Sequence, residues 1–395
     1  MRGYTAALAN GEAVHYIDRK RYLWTLSVLF PLLPFLGLWL HAQTGTEAWL
    51  LTPLFLLYVV GPVLDALVGE DANNPPEAVV PQLEADRYYR RLTYVVVPLH
   101  LVSLIGASWW AASQDLAWWA FVGLAVVAGH ASGLGINTGH ELGHRQPRFE
   151  RTLAKIVLAV PAYGHFTIEH NLGHHRDVAT PEDPASARMG ESIYRFARRE
   201  IPGAFLRAWQ IERDRLDRRG RGAWDPDNQI LQSLAVALVL KLGIVLSFGW
   251  TMIPFLAIHN VVAWWQLTTA NYIEHYGLLR TTGDDGRYER CQPHHSWNSN
   301  HLVSNLALFH LERHSDHHAH PQRRYQSLRH FDNLPSLPSG YFGAYLLAWV
   351  PWLWYRVMDP RLLALRHVSG NLDRVNIDPR REPGIRARYG AAAGG

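Results

Sequence analysis

Six apolar blocks dominate the chain, and each is long enough to cross a bilayer, which takes about 20 apolar residues per helix. They run roughly over Tyr22–His41, Trp49–Val68, Leu92–Ala112, Leu116–Gly135, Leu231–Gly249 and Met252–Asn271. Unpaired backbone groups are too costly in hydrocarbon, so blocks of this length dictate helices. One or two such blocks would fit the core of a soluble protein, but six do not. Pro31, Pro34 and Pro62 lie inside blocks, which membrane helices tolerate better than soluble ones. Trp109, Trp110, Trp118 and Trp119 gather at the ends of the third and fourth blocks, as interfacial aromatics do. The expected fold is an all-α polytopic membrane protein with six transmembrane helices.

Charge sets the expected orientation. The connections "AQTGTE", "SQD" and "FGWT" carry no Lys or Arg, whereas Arg19, Lys20, Arg21, Arg87, Arg90 and Arg91 flank the alternate ends. The segments after the fourth and sixth blocks are also strongly basic. All basic segments thus fall on one side, which the positive-inside rule makes cytoplasmic, with both termini there. The first block is too long for a cleavable signal and lacks a small-residue cleavage site. The chain reads as one integral-membrane domain with cytoplasmic segments 137–229 and 272–380 and a linker-like tail, 381–395, ending "GAAAGG". Cys291 stands alone, which excludes an intrachain disulfide and a thiolate metal cage.

The polar signal is histidine, of which there are 22. In "NTGHELGHR", His140 and His144 are four apart and share one helical face. In "EHNLGHHRD", His170 and His174 have the same spacing, while His175 points about 100° away from His174 and would reach a second ion. His275 follows the sixth block in "NYIEHYGL", and "LERHSDHHAH" offers His314, His317 and His318 at i, i+3 and i+4. These nine lie at the cytoplasmic ends of helices or beside them, too many for one ion and about right for two. His100, His130 and His259 read as packing residues within the blocks, and His310 as a neighbour of the ligands. His294, His295 and His301 read as loop residues. Glu141, Glu169, Glu274, Asp177, Asp183 and Asp316 are near enough in sequence to orient imidazoles through the second ring N–H, and spacing does not choose among them.

Imidazole suits zinc, copper, iron or nickel. HELGH alone matches a zinc protease, but that reading leaves seven histidines idle. A metal transporter needs polar groups along its membrane path, and here they gather at one end. A histidine-only pair of ions beside an apolar interior suits O₂ binding and attack on a hydrocarbon.

"NTGHELGHR", "EHNLGHHRDVATPEDPASARMGESIYRF", "NYIEHYGLLR" and "LERHSDHHAHPQRRYQSLR", with "LVGEDANNPPE" and "NSNHLVSN", resemble the membrane alkane 1-monooxygenases over roughly residues 20–380. Glu312 departs from the family, which more often has glutamine there. The resemblance implies a cytoplasmic non-haem centre of two iron ions held by His140, His144, His170, His174, His175, His275, His314, His317 and His318. It also implies O₂-dependent terminal hydroxylation of n-alkanes drawn from the bilayer. Electrons would come from a rubredoxin, separate or fused, reduced by an NAD(P)H-dependent reductase. The chain has neither a dinucleotide fingerprint nor the four cysteines a rubredoxin needs. Arg195, Arg198, Arg199, Arg207, Arg213, Arg215, Arg218 and Arg219 would serve either such an acidic donor or anionic lipid. Leu57 and Tyr58 are candidate channel walls. Membrane desaturases and fatty-acid hydroxylases are the rival reading, but desaturases tend to HxxHH where this chain has HxxxHH. Nothing in the chain suggests nucleic-acid binding.

Overall fold

The computed structural model describes residues 2–390. The chain opens on a short antiparallel hairpin, β1 (Gly3–Ala7) and β2 (Ala13–Ile17), which the all-α expectation had omitted. Its cause is local, because Asn10-Gly11 supplies a turn, with Gly11 at φ 84, between two alternating segments. Tyr4 on β1 is buried and donates to Asp86 at 2.8 Å, which also pairs with Arg21 at 2.7 Å. The hairpin is thereby fastened to the start of the third long helix.

Among the described residues, five helices are long and apolar enough to cross a membrane: α1 (Leu23–Thr44), α2 (Glu47–Val68), α3 (Arg87–Ser113), α4 (Trp118–Gly143) and, later in the chain, Gln229–Phe248. Their outward faces carry large apolar side chains, such as Leu67 at 77% exposure and Leu246 at 73%, an arrangement that needs lipid rather than water around it. The protein is an integral membrane protein. The sixth expected block is also a helix, Met252–His275, 24 residues long, but His259, Asn260, Gln266 and Asn271 place it below the apolarity of the other five. It has the length to span, about 36 Å at 1.5 Å per residue.

After α4 the chain turns back. Helix α5 (Arg148–Ala159) runs antiparallel to α4 and buries Ala154, Val157 and Leu158. Residues 160–165 form an irregular turn, and α6, residues 166–177, returns toward the end of α4. The turn has no ladder to satisfy its carbonyls, so side chains do it: Lys241 Nζ donates to the Val160 carbonyl at 2.9 Å and Trp264 Nε1 to the Pro161 carbonyl at 2.7 Å. Gly164 is required there, because a Cβ would lie 1.6 Å from Ser233 Oγ.

Helix α7 (Ile193–Asp217) lies across α6, and α8 (Gln229–Phe248) and α9 (Met252–His275) complete the long helices. Gly129 and Gly133 on α4, four apart, let α9 approach closely, since a Cβ at either would come within 2.7 Å of Val262 Cβ or Gln266 Cβ. Shorter helices close the structure: α10 (Leu302–Ala307), α11 (His314–Ala319), α12 (Tyr341–Ala348) and α13 (Pro351–Leu363). The tail expected from residue 381 is helical over Glu382–Tyr389, with Ile385 buried near Gly190, and its last five residues lie outside the described ones.

Candidate metal centre

Four elements deliver the nine histidines. His140 and His144 stand at the end of α4, His170, His174 and His175 on α6, His275 at the last residue of α9, and His314, His317 and His318 on α11. They form two adjacent groups. His140, His144, His170 and His317 each bring a ring nitrogen within 4.8 Å of the others, and His174, His275, His314 and His318 do the same. His175 joins the first group, its Nε2 lying 3.1 Å from the Nε2 of both His170 and His317.

The division follows from local structure. Residues His170–His174 form a π-helical turn, in which the His175 N–H reaches the His170 carbonyl. In a regular α-helix His170 and His175 would point about 140° apart. The wider turn brings them together and leaves His174 to the second group. His170 and His174, expected on one face for one ion, are therefore separated. The face shared by His314, His317 and His318 is likewise split, with His317 turned to the first group.

Ring nitrogens within each group converge. His140 Nε2 is 2.9 Å from His317 Nε2, and His314 Nε2 is 3.2 Å from His275 Nε2 and 2.9 Å from His318 Nε2. Two imidazoles at right angles on one ion, each about 2.1 Å away, have nitrogens about 3 Å apart. The donor set fits a metal in other respects too. Burial, reinforced by neighbouring imidazoles, holds the His144, His170, His314, His317 and His318 rings well below their usual range and so neutral, as ligands must be. Nε2 of His144 and of His174, one in each group, is buried without a protein hydrogen-bond partner.

Two rings have their tautomer fixed from behind. His174 Nδ1–H donates to Asp183 at 2.8 Å and His275 Nδ1–H to the His295 carbonyl at 3.3 Å, so both present an Nε2 lone pair to the second group. Asp183 is itself held by Arg207 and by Ser186 Oγ, each at 2.7 Å. Burial lowers the His174 imidazole, but the Asp183 carboxylate outweighs it and leaves the ring raised. Glu274 lies 3.4 Å from His314 Nε2 and accepts from Tyr341 Oη at 2.8 Å. The other candidate carboxylates serve arginines: Glu141 pairs with Arg145 at 2.7 Å, Asp316 with Arg329 at 2.8 Å, and Glu169 and Asp177 with Arg207.

The remaining histidines divide as follows. His130 Nδ1–H donates to the Val126 carbonyl at 2.9 Å, His259 bonds Ser132 Oγ at 2.8 Å, and His100 packs against Gly135. His310 does not support the ligands. It sits at φ 54 and turns its ring edge-on to Trp24, 4.6 Å between centroids, while donating to the Tyr325 carbonyl. Glu289, His294 and His295 form a further cluster. There the Gln292 N–H donates to His295 Nδ1 at 3.0 Å, which puts the ring proton on Nε2 and removes it as a donor to an ion.

A narrow cavity lies against the two groups, touching His140, His170, His314 and Glu274. Its walls are mostly apolar, from Leu134, Phe166, Leu267, Leu308, Leu311, Phe342 and Tyr345. Leu57 and Tyr58 are not among them. Leu57 is buried in the core, and Tyr58 stands behind the wall, donating from Oη to Gln266 Oε1 at 2.7 Å. Sequence reasoning missed the contribution of α12 and the amides of Asn137, Gln266 and Asn271. The amides were visible as polar residues interrupting otherwise apolar helices.

Comparison with known proteins agrees with this geometry. The family model for fatty acid desaturases matches residues 116–341. The alkane 1-monooxygenase of Ectopseudomonas oleovorans is 54% identical over 385 residues, 97% of this chain and 95% of the relative. That of Pseudomonas putida is 54% identical over 390 residues, 98% and 95% of the two chains. The hydroxylase component of a xylene/toluene monooxygenase from Pseudomonas putida is 29% identical over 228 residues, 56% of this chain and 59% of the relative. With two groups of buried histidines and this identity along nearly its whole length, the chain belongs to the alkane 1-monooxygenase family.

Proposed function

We propose that this enzyme hydroxylates medium- and long-chain n-alkanes at the terminal carbon, consuming O₂, two electrons and two protons to give a primary alcohol and water. One observation carries the reading: an apolar cavity that ends on two adjacent groups of buried imidazoles. His140, His144, His170, His175 and His317 would hold one iron ion, and His174, His275, His314 and His318 the other. Bound iron supplies the redox chemistry that activates O₂.

The chain's own residues do the rest. A terminal methyl has the strongest C–H bond of an alkane, so selectivity for it must come from positioning. Leu134, Leu267, Phe342 and Tyr345 exclude water and hold the chain lengthwise, which presents only its end to the histidines. Asp183, clamped by Arg207, fixes the tautomer of His174. Residues 1–395 hold neither a flavin fold nor a cysteine cluster, so the electrons come from a donor outside these residues. The donor we assign is a rubredoxin, separate or fused, reduced by an NAD(P)H-dependent reductase. The basic loops support an inner-membrane location with Met252–His275 as a sixth span and the centre on the cytoplasmic side.

The deciding experiment counts iron per purified chain and assays octane with rubredoxin, its reductase and ¹⁸O₂. About two irons and labelled 1-octanol are expected. A single zinc without alcohol would overturn the reading.

A further inference from the structure

A further cluster stands apart from the two histidine groups, on the loop between α9 and α10. Glu289, His294 and His295 each bring one side-chain nitrogen or oxygen within 4.8 Å of those of the other two. His295 is no ligand, because its Nε2 carries the proton, and that N–H faces Glu289 Oε1 at 3.6 Å. A residue far along the chain takes its place. His367, just past α13, sets its ring on that of His294 with 4.3 Å between centroids, and its Nε2 is buried without a protein hydrogen-bond partner. This is the spacing found inside the histidine groups, 4.3 Å between His140 and His317 and 4.5 Å between His314 and His318.

The carboxylate of Glu289 is held ready for a cation. Its Oε1 accepts from the Thr281 N–H at 2.9 Å and from Thr281 Oγ1 at 2.6 Å, which fixes the group and leaves Oε2 without a hydrogen bond among the described residues. Burial holds the His367 ring down to about 4 and the His294 ring below its usual range, so both are neutral lone-pair donors near pH 7. We infer that Glu289, His294 and His367 form a separate metal site, for one divalent transition ion such as Zn²⁺. Two imidazoles and one carboxylate are a donor set that zinc accepts, with water in the fourth position. An ion there links the loop after α9 to the segment after α13, two stretches that also meet where Leu278 pairs with Val375. It also steadies the second histidine group from behind. The carbonyl of His295, the residue next to His294, accepts the His275 Nδ1–H.

The test titrates Zn²⁺, in competition with a chromophoric chelator, into protein first saturated with iron so that the two histidine groups are filled. The wild type should take up about one zinc per chain with its iron content unchanged. His294→Asn and His367→Asn, made separately, should each weaken that binding by at least about 10- to 100-fold, the loss that follows removal even of a group behind a ligand. No zinc uptake by the wild type would overturn the inference, and so would uptake that is equally tight in both variants. If either variant loses iron through misfolding, Glu289→Gln decides instead. It keeps an oxygen for Thr281 but removes the charge, so zinc binding should again fall, and unchanged binding refutes the site. Failure of the protein to take up iron would tell against the function proposed above, while the difference of one zinc between wild type and variants would still decide this inference.

Discussion

Asp183 and Glu312 show how single buried carboxyls set the character of the site. Asp183 fixes one imidazole, so Asp183→Asn should leave the fold intact but weaken metal binding by about 10- to 100-fold, measured as iron retained after dialysis against a chelator. Glu312 is buried, and burial, with nearby Asp65, pushes its carboxyl up to about 8. A protonated carboxyl offers one donor and one acceptor, much as an amide does. Because the folded pKa is raised, stability is fully present below the unfolded value near 4.5 and is lost as pH rises through about 8. Glu312→Gln should therefore melt close to wild type at pH 5 and several degrees higher at pH 8.5 by thermal unfolding in detergent.

At the scale of elements, the turn at residues 160–165 depends on α8 and α9. Lys241→Met leaves the Val160 carbonyl without its donor and should cost about 1–3 kcal/mol, read as a lower unfolding midpoint with iron content retained in the folded fraction. The long helices were legible because an uninterrupted apolar run has few physical alternatives. The return of α5 and α6 beside α4 was not legible, since it rests on contacts between residues far apart, such as Lys241 with Val160. The nine histidines could be read from clustering and spacing, but their assignment to two groups could not. That assignment depends on the π-helical turn at His170–His174, and α-helical spacing rules misplace His170 relative to His174 and His175. The extra residue of HxxxHH relative to HxxHH is the one this turn absorbs. Deleting Asn171 should restore α-helical spacing and cost the first group a ligand, seen as a fall in iron per chain.

For the whole molecule, the proposed metal centre would be both a catalyst and a cross-link. Without metal, His144, His170, His175, His314, His317 and His318 are held by burial well below their usual pKa. An unfolded chain takes up protons on these rings near pH 6.5 and the folded chain does not, so metal-free protein loses stability as pH falls below that value. Chelated enzyme should melt at lower temperature at pH 5.5 than at pH 7.5. The nine histidines come from α4, α6, α9 and α11, and both groups draw on α11, through His317 in one and His314 and His318 in the other. During synthesis, neither ion-binding group is complete until α11 has left the ribosome. On the proposed assignment, metal would enter a chain whose long helices have all been made, and any nascent chain arrested before His314 can present only fragments of the two groups.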